Sequence, residues 1–172
     1  GALGWSALAA AACLALAIGA AYRPASPPPL SALVADHVTG PHERDALRRE
    51  RPLPDSMVRR AFAARGIDLD HVPAGVSYVN ECIVGDYRTV HMVMPQDGEP
   101  ISVVYVARHR EPERDFAGDG LRGREVPIAN GTLFLLARDD RRFGALEQAW
   151  RGALAAPPRL AAAFGPAGAP RR

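Results

Sequence analysis

The 172-residue chain contains no lysine, so all 21 of its basic residues are arginine. A coding bias produces that pattern as readily as selection does, and no functional conclusion follows from it. Cysteine is nearly as scarce. Cys13 lies in an apolar run and Cys82 in a β-rich stretch. Neither belongs to a CxxC pair, which argues against a structural zinc ribbon and a dithiol redox site. No bridge between them is expected, and Cys82 reads as a small buried hydrophobe. The five histidines, His37, His42, His71, His91 and His109, form no HxxH or HExxH spacing, so no helix presents two imidazoles to a metal. Walker, GxGxxG and GxSxG patterns are absent as well. His91 falls mid-strand near Cys82, but a Cys–His nucleophile needs an oriented base and a cleft. The sequence shows neither, so His91 is expected to satisfy its hydrogen bonds within the sheet. No catalytic, cofactor-binding or metal-ligating residue is nominated, and no enzyme is expected. A net charge of +2 is too small for a dedicated nucleic-acid binder.

What is present centres on residues 76–108, three β-rich runs separated by two turn signals. Gly85 and Asp86 part the first two, and residues 96–99, with an Asp-Gly pair, suit an antiparallel hairpin between the second and third. Strand side chains alternate faces, which sets Val90, Met92 and Met94 against Thr89, His91 and Val93. Ile101, Val103 and Tyr105 oppose Ser102, Val104 and Val106 in the same way. Both faces are fairly apolar, so the hairpin belongs at the centre of a sheet. Tyr78, Tyr87 and Tyr105, on these strands, read as core rather than as a stacking platform.

Before this stretch, Ser31 offers an N-cap to a helix carrying Leu33, Val34 and Val38, ended by Gly40-Pro41. Asp55 or Ser56 caps a second helix with Met57, Val58, Ala61 and Phe62, closed by Gly66. Residues 43–65 mix both charge signs and read as a solvated surface. After the central strands, residues 108–120 read as a long exposed loop. Arg108, Arg110, Arg114 and Asp115 in it are candidate partner contacts. Asn130-Gly131 is a hairpin signal, because both residues tolerate positive φ. Asp139 or Asp140 caps a last helix with Phe143, Leu146, Ala149 and Trp150 on one face. The expected fold is α+β: about five antiparallel strands in residues 31–154, covered by two N-terminal helices and one C-terminal helix. An Ala/Gly/Pro tail at 155–172 follows.

Residues 1–22 hold about 20 positions without a charge, long enough to cross a bilayer as a helix. Leu3, Leu8, Leu14, Leu16 and Ile18 supply its apolar surface, and Trp5 and Tyr22 sit where interfacial anchors belong. A cleaved signal peptide and a buried core helix are the competing readings; the first lacks a basic n-region and the second a polar face. A Pro-rich linker at 23–30 favours extended geometry.

The order of features resembles the soluble part of an uncharacterised bacterial single-pass membrane protein family grouped with transmembrane anti-sigma factors. The matching residues are Leu33, Val34, Ala35, Asp36, His37 and Val38, the Pro52-Leu53-Pro54 break, and Pro73, Ala74, Gly75 and Val76. Further along they are Glu81, Cys82, Val90, His91, Met92, Val93, and residues 98–104 and 120–123. The resemblance implies an anchor in the inner membrane, a periplasmic C-terminal domain and a non-catalytic regulatory or sensory role. Its implied partners are the lipid bilayer and either a cytoplasmic sigma factor, bound through sequence expected upstream of Gly1, or the subunits of a larger membrane complex. The His-x3-Cys-x2-Cys motif of anti-sigma zinc domains is missing from these residues, so sigma-factor binding is assigned to none of them. The transmembrane expectation has a direct test. Replacing both Leu14 and Leu16 by Arg costs about 2.5–3.5 kcal/mol per residue at a helix centre. It should abolish carbonate-resistant membrane association; unchanged association would remove the transmembrane assignment.

Overall fold

Alternation along the central hairpin produces two apolar faces on one sheet. In the computed structural model, which describes residues 27–41 and 43–154, six strands form that sheet. They are β1 (Tyr78–Val84), β2 (Tyr87–Gln96), β3 (Glu99–Ala107), β4 (Arg114–Gly118), β5 (Leu121–Ile128) and β6 (Gly131–Ala137). The spatial order is β1-β2-β3-β6-β5-β4, with every neighbouring pair antiparallel. The β2–β3 turn places Asp97 at φ 52° and Gly98 at φ 81°, the left-handed pair that a two-residue hairpin loop uses. The α+β expectation holds, with six strands in place of about five.

The extra strand is β4, inside the stretch expected to be a loop. Its residues are almost all exposed because it is an edge strand with little beneath it. Alternating burial, the signal that reveals a strand in sequence, is therefore absent. Polar contacts hold it instead. Arg114 donates to Glu125 on β5 at 2.8 Å and to the Ser31 hydroxyl at 3.1 Å, while Asp115 pairs with Arg124 at 3.2 Å. Arg110 donates to the Ala129 carbonyl at 3.0 Å, and Arg108 has φ 60° in the turn leaving β3. The four candidate partner residues are thus spread over a turn, a short connection and a strand.

The β5–β6 hairpin forms where Asn130-Gly131 predicted it, by a different route. The left-handed residue is Ala129, at φ 50°. Gly131 is required for space, since a Cβ there would stand 2.3 Å from the Val106 carbonyl and 2.6 Å from the Tyr105 hydroxyl. That hydroxyl donates to Asn130 Oδ1 at 3.1 Å, tying the turn to β3.

Three α-helices cover the sheet, on both faces. Helix α1 (Leu30–Thr39) lies alone on one face, packing Leu30, Val34, Ala35 and Val38 against Val84, Val104, Val106, Phe134 and Leu136. Ser31 is not its cap: the N-cap position is Pro29, and Ser31 is buried in the first turn. Helices α2 (Asp55–Ala63) and α3 (Phe143–Leu154) share the opposite face with Met92, Met94, Ile101, Val103 and Leu135. Pro54 precedes α2 without a side-chain cap, and Gly66, at φ 74°, follows its end as expected. The expected membrane helix, residues 23–26 of the linker and the tail lie outside the described residues. None of the described helices is long and apolar enough to cross a membrane.

Trp150 is the largest fully buried side chain. It stacks on Phe62 with ring centroids 5.4 Å apart and donates its indole N–H to Met94 Sδ at 3.3 Å, joining α2, α3 and β2. Trp150→Ala should cost about 3–5 kcal/mol in denaturant unfolding, the range for truncating a buried tryptophan. A loss below about 1 kcal/mol would show that the two helices do not depend on this contact.

Candidate metal centre

The α1 face of the sheet is apolar along β3 and β6 but turns polar towards β1 and β2. The register places Asn80 opposite His91 and Cys82 opposite Thr89, so Cys82 and His91 project from adjacent strands on the same face. Gly40 and Pro41 end α1, with the Gly40 N–H donating to the His37 carbonyl at 3.2 Å. The Glu43 N–H then donates to the Gly40 carbonyl at 3.1 Å, which folds the chain back over the strands. Glu43 thereby arrives between His37, on the last turn of α1, and His91. A short 3-10 turn, Ala46–Arg48, completes the connection, with the Leu47 N–H donating to the Glu43 carbonyl at 3.2 Å.

Four donor side chains meet at this point. One ligand atom from each of His37, Glu43, Cys82 and His91 lies within 4.8 Å of all the others. His37 Nε2 stands 3.7 Å from Glu43 Oε1, and His91 Nδ1 stands 3.1 Å from Glu43 Oε2. The second contact is at hydrogen-bond distance and acts on Glu43 as one, though its alignment falls short of a full hydrogen bond. His37 Nε2, both ring nitrogens of His91 and Glu43 Oε2 are all buried without a hydrogen-bond partner. His91 is fully buried and Glu43 and Cys82 nearly so, whereas the His37 side chain is 22% exposed and forms the solvent side of the cluster. Tyr78 meets the His91 ring edge-on at 5.6 Å, and His37 meets it at 5.5 Å.

The expectation that His91 satisfies itself within the sheet is corrected here. Strand backbones use their own N–H and C=O groups in the ladder and leave an imidazole to find side-chain partners. Leaving a buried polar atom unpaired costs about 1–3 kcal/mol. Such atoms are few in folded proteins, and an ion is one of their ordinary explanations. Four of them in one cluster of metal-ligating types is a coherent pattern.

The electrostatics agree. The close contact with His91, acting first as a hydrogen bond and then through charge, holds the Glu43 carboxyl below its usual range, against the opposing effect of burial. Burial and the neighbouring His91 lower the His37 pKa, which keeps that imidazole neutral and able to ligate. Burial, and then the Glu43 charge, push the Cys82 thiol up to about 11. A cation reverses that last effect, because a coordinated thiol is deprotonated outright.

Tetrahedral zinc, with bonds of about 2.0–2.3 Å, spaces its ligand atoms about 3.3–3.8 Å apart. The observed atoms, all within 4.8 Å of one another, are spread up to about 1 Å wider than that. Two neutral imidazoles, a carboxylate and a thiolate carry two negative charges, which a divalent ion neutralises. A buried charge needs such pairing. The thiolate argues against calcium and magnesium, which take oxygen ligands, and the nitrogen–sulfur–oxygen mixture suits zinc, cobalt or copper.

The same side chains could also be arranged as a Cys–His–Glu nucleophilic triad, with Glu43 orienting His91. The buried, high-pKa thiol argues against that, since a catalytic cysteine sits in an accessible site that lowers its pKa.

Sequence reasoning nominated none of these four as ligands, because residues 37, 43, 82 and 91 share no short spacing. The usable signal was the alternation that set His91 on the face opposite Met92, together with a helix whose last turn carries a histidine beside Val38. The partner residues Arg108, Arg110, Arg114 and Asp115 are not part of this cluster, and the membrane-helix residues lie outside the described region.

The chain belongs to the family described as "Protein of unknown function (DUF3379)", whose profile matches residues 2–153. No curated protein and no solved structure matches it.

The environment of Cys82 predicts its reactivity. A shift from 9.0 to about 11 leaves about a hundredfold less thiolate at neutral pH than an ordinary thiol has. Metal-free protein should therefore alkylate with iodoacetamide at least that much more slowly than a free cysteine peptide. Alkylation faster than the peptide would support the nucleophilic triad instead.

Proposed function

We propose that this chain is a non-catalytic, membrane-anchored regulatory domain that binds a divalent transition-metal ion through His37, Glu43, Cys82 and His91. One observation carries the metal reading. The four donors converge on a point where their buried nitrogens and a carboxylate oxygen lack hydrogen-bond partners. The non-catalytic reading draws on the enclosure of His91 and the raised thiol of Cys82.

The anchored, periplasmic placement rests on the charge-free run before the Pro-rich linker and on the resemblance in feature order. The same resemblance supports an anti-sigma-like role with a cytoplasmic partner. An accessory subunit of a membrane complex is the alternative. It is favoured by the small residues Gly4, Ala10, Ala11 and Ala15 in the apolar run, which let helices approach closely.

Cobalt(II) titration tests the metal centre, because it reports ligand type and geometry by colour. The full chain, stripped with a chelator, should develop a thiolate-to-cobalt charge-transfer band and the intense visible bands of four-coordinate cobalt at one equivalent. Zinc should bleach them. Cys82→Ser should lose the charge-transfer band, and His91→Ala should weaken binding by at least tenfold. Wild-type protein that stays colourless, or an unchanged band in Cys82→Ser, would refute the assignment.

A further inference from the structure

The four donors do not come from one element. Cys82 and His91 stand on β1 and β2, which are held by a continuous antiparallel register. His37 stands on α1, and Glu43 on the connection that follows it. An ion at this centre would therefore bridge a rigid sheet to the first helix of the domain. We infer that metal occupancy fastens α1 and the connection after it to the sheet, coupling the ion to the segment through which the chain enters the domain. This inference rests on the metal reading above.

Helix α1 is suited to such control. It has ten residues, and isolated helices of that length are marginal in water. Its N-cap position is a proline without a side-chain cap, and no acidic residue lies in its first turn. Among the described residues no other α-helix packs with it on that face; only the short 3-10 turn at Ala46–Arg48 follows it there. Apolar contacts from Leu30, Val34, Ala35 and Val38 hold one stripe of it.

Two polar fixings complete its attachment. Near the N-terminus, the Arg114 guanidinium donates to the Ser31 hydroxyl at 3.1 Å, with Arg114 itself held by buried Glu125. At the C-terminal turn the only such group directed at the strands is His37, whose Nε2 has no hydrogen-bond partner. Without an ion that end is held by Val38, the helix backbone, the 3.7 Å approach of His37 to Glu43 and its edge-on contact with His91. With one, a bond from His37 reaches the same ion as Cys82 and His91.

Ions that bind a folded arrangement stabilise it by mass action, and local openings that break the site are suppressed in proportion. Residues 27–29 are all proline and lead directly into α1, so a change in the docking of α1 is passed to a stiff spacer rather than lost in a flexible one.

Hydrogen exchange on the full chain in detergent, metal-free and zinc-loaded, reads this directly. With zinc at about a hundred times its Kd, amides of residues 33–48 should exchange about a hundredfold more slowly. Amides of the exposed β4–β5 turn at residues 118–121, which open without breaking the site, should be unchanged. His37→Ala separates the two layers of the argument. It should keep the thiolate-to-cobalt band through the other three donors, at reduced affinity, and lose the added protection of α1. A wild-type band with no change in exchange at 33–48, or full protection retained in His37→Ala, would overturn the fastening and leave the metal centre standing. Absence of the band in wild-type protein would overturn both.

Discussion

The constraint on which this fold depends is that its three middle strands are buried on both sides. Along Thr89–Met94 of β2, Ile101–Val106 of β3 and all of β6, residues pointing in either direction are buried. A sheet of that kind needs cover on both faces, and the chain meets the requirement unevenly. Two helices, α2 and α3, interlock through Phe62 and Trp150 over one face, while α1 covers the other alone. A single helix of ten residues cannot reach across six strands. The polar cluster lies beside that incomplete cover, where the connection carrying Glu43 extends it over β1 and β2.

This placement accounts for the mixed character of the cluster. Towards the middle of the sheet its neighbours are apolar, which removes water and raises the cost of leaving His91 and Glu43 unpaired. Towards the outside, the His37 side chain is partly exposed while its Nε2 is buried, so the cluster lies just beneath the surface. A deeper site would have no access, and a shallower one would hydrate its donors.

Much of the architecture was legible in sequence, for identifiable reasons. The central hairpin announced itself because alternation is strict and the Asp97-Gly98 turn supplies the required backbone. The helices were legible from the spacing of Val34 and Val38, of Val58 and Phe62, and of Phe143, Leu146 and Trp150. Strand β4 was not, since an exposed edge held by Arg114 and Asp115 has the composition of a loop. The left-handed Ala129 was hidden behind an Asn-Gly pair that suggested a different turn. The metal-capable cluster was the least legible feature. Cys82 and His91 were placed on neighbouring strands, but nothing local tied them to Glu43, whose position depends on a reversal of the chain after Gly40. The resemblance counted His37, Cys82 and His91 among its matching residues but gave none of them a ligand role.

The strand order has a consequence for the sequence of events in folding. Four of the five strand pairings join neighbours along the chain, so the sheet consists of two three-stranded meanders meeting at β3 and β6. Hairpin closure takes about 1–10 μs, whereas contacts between distant segments must first overcome loop entropy. The meanders are therefore the kinetically local units and their union is the late step. All four donors, from His37 to His91, precede β3, which begins at Glu99. The cluster is thus encoded ahead of the second meander, and as the chain emerges during synthesis its ligands are all available before the strands that complete the sheet have been made.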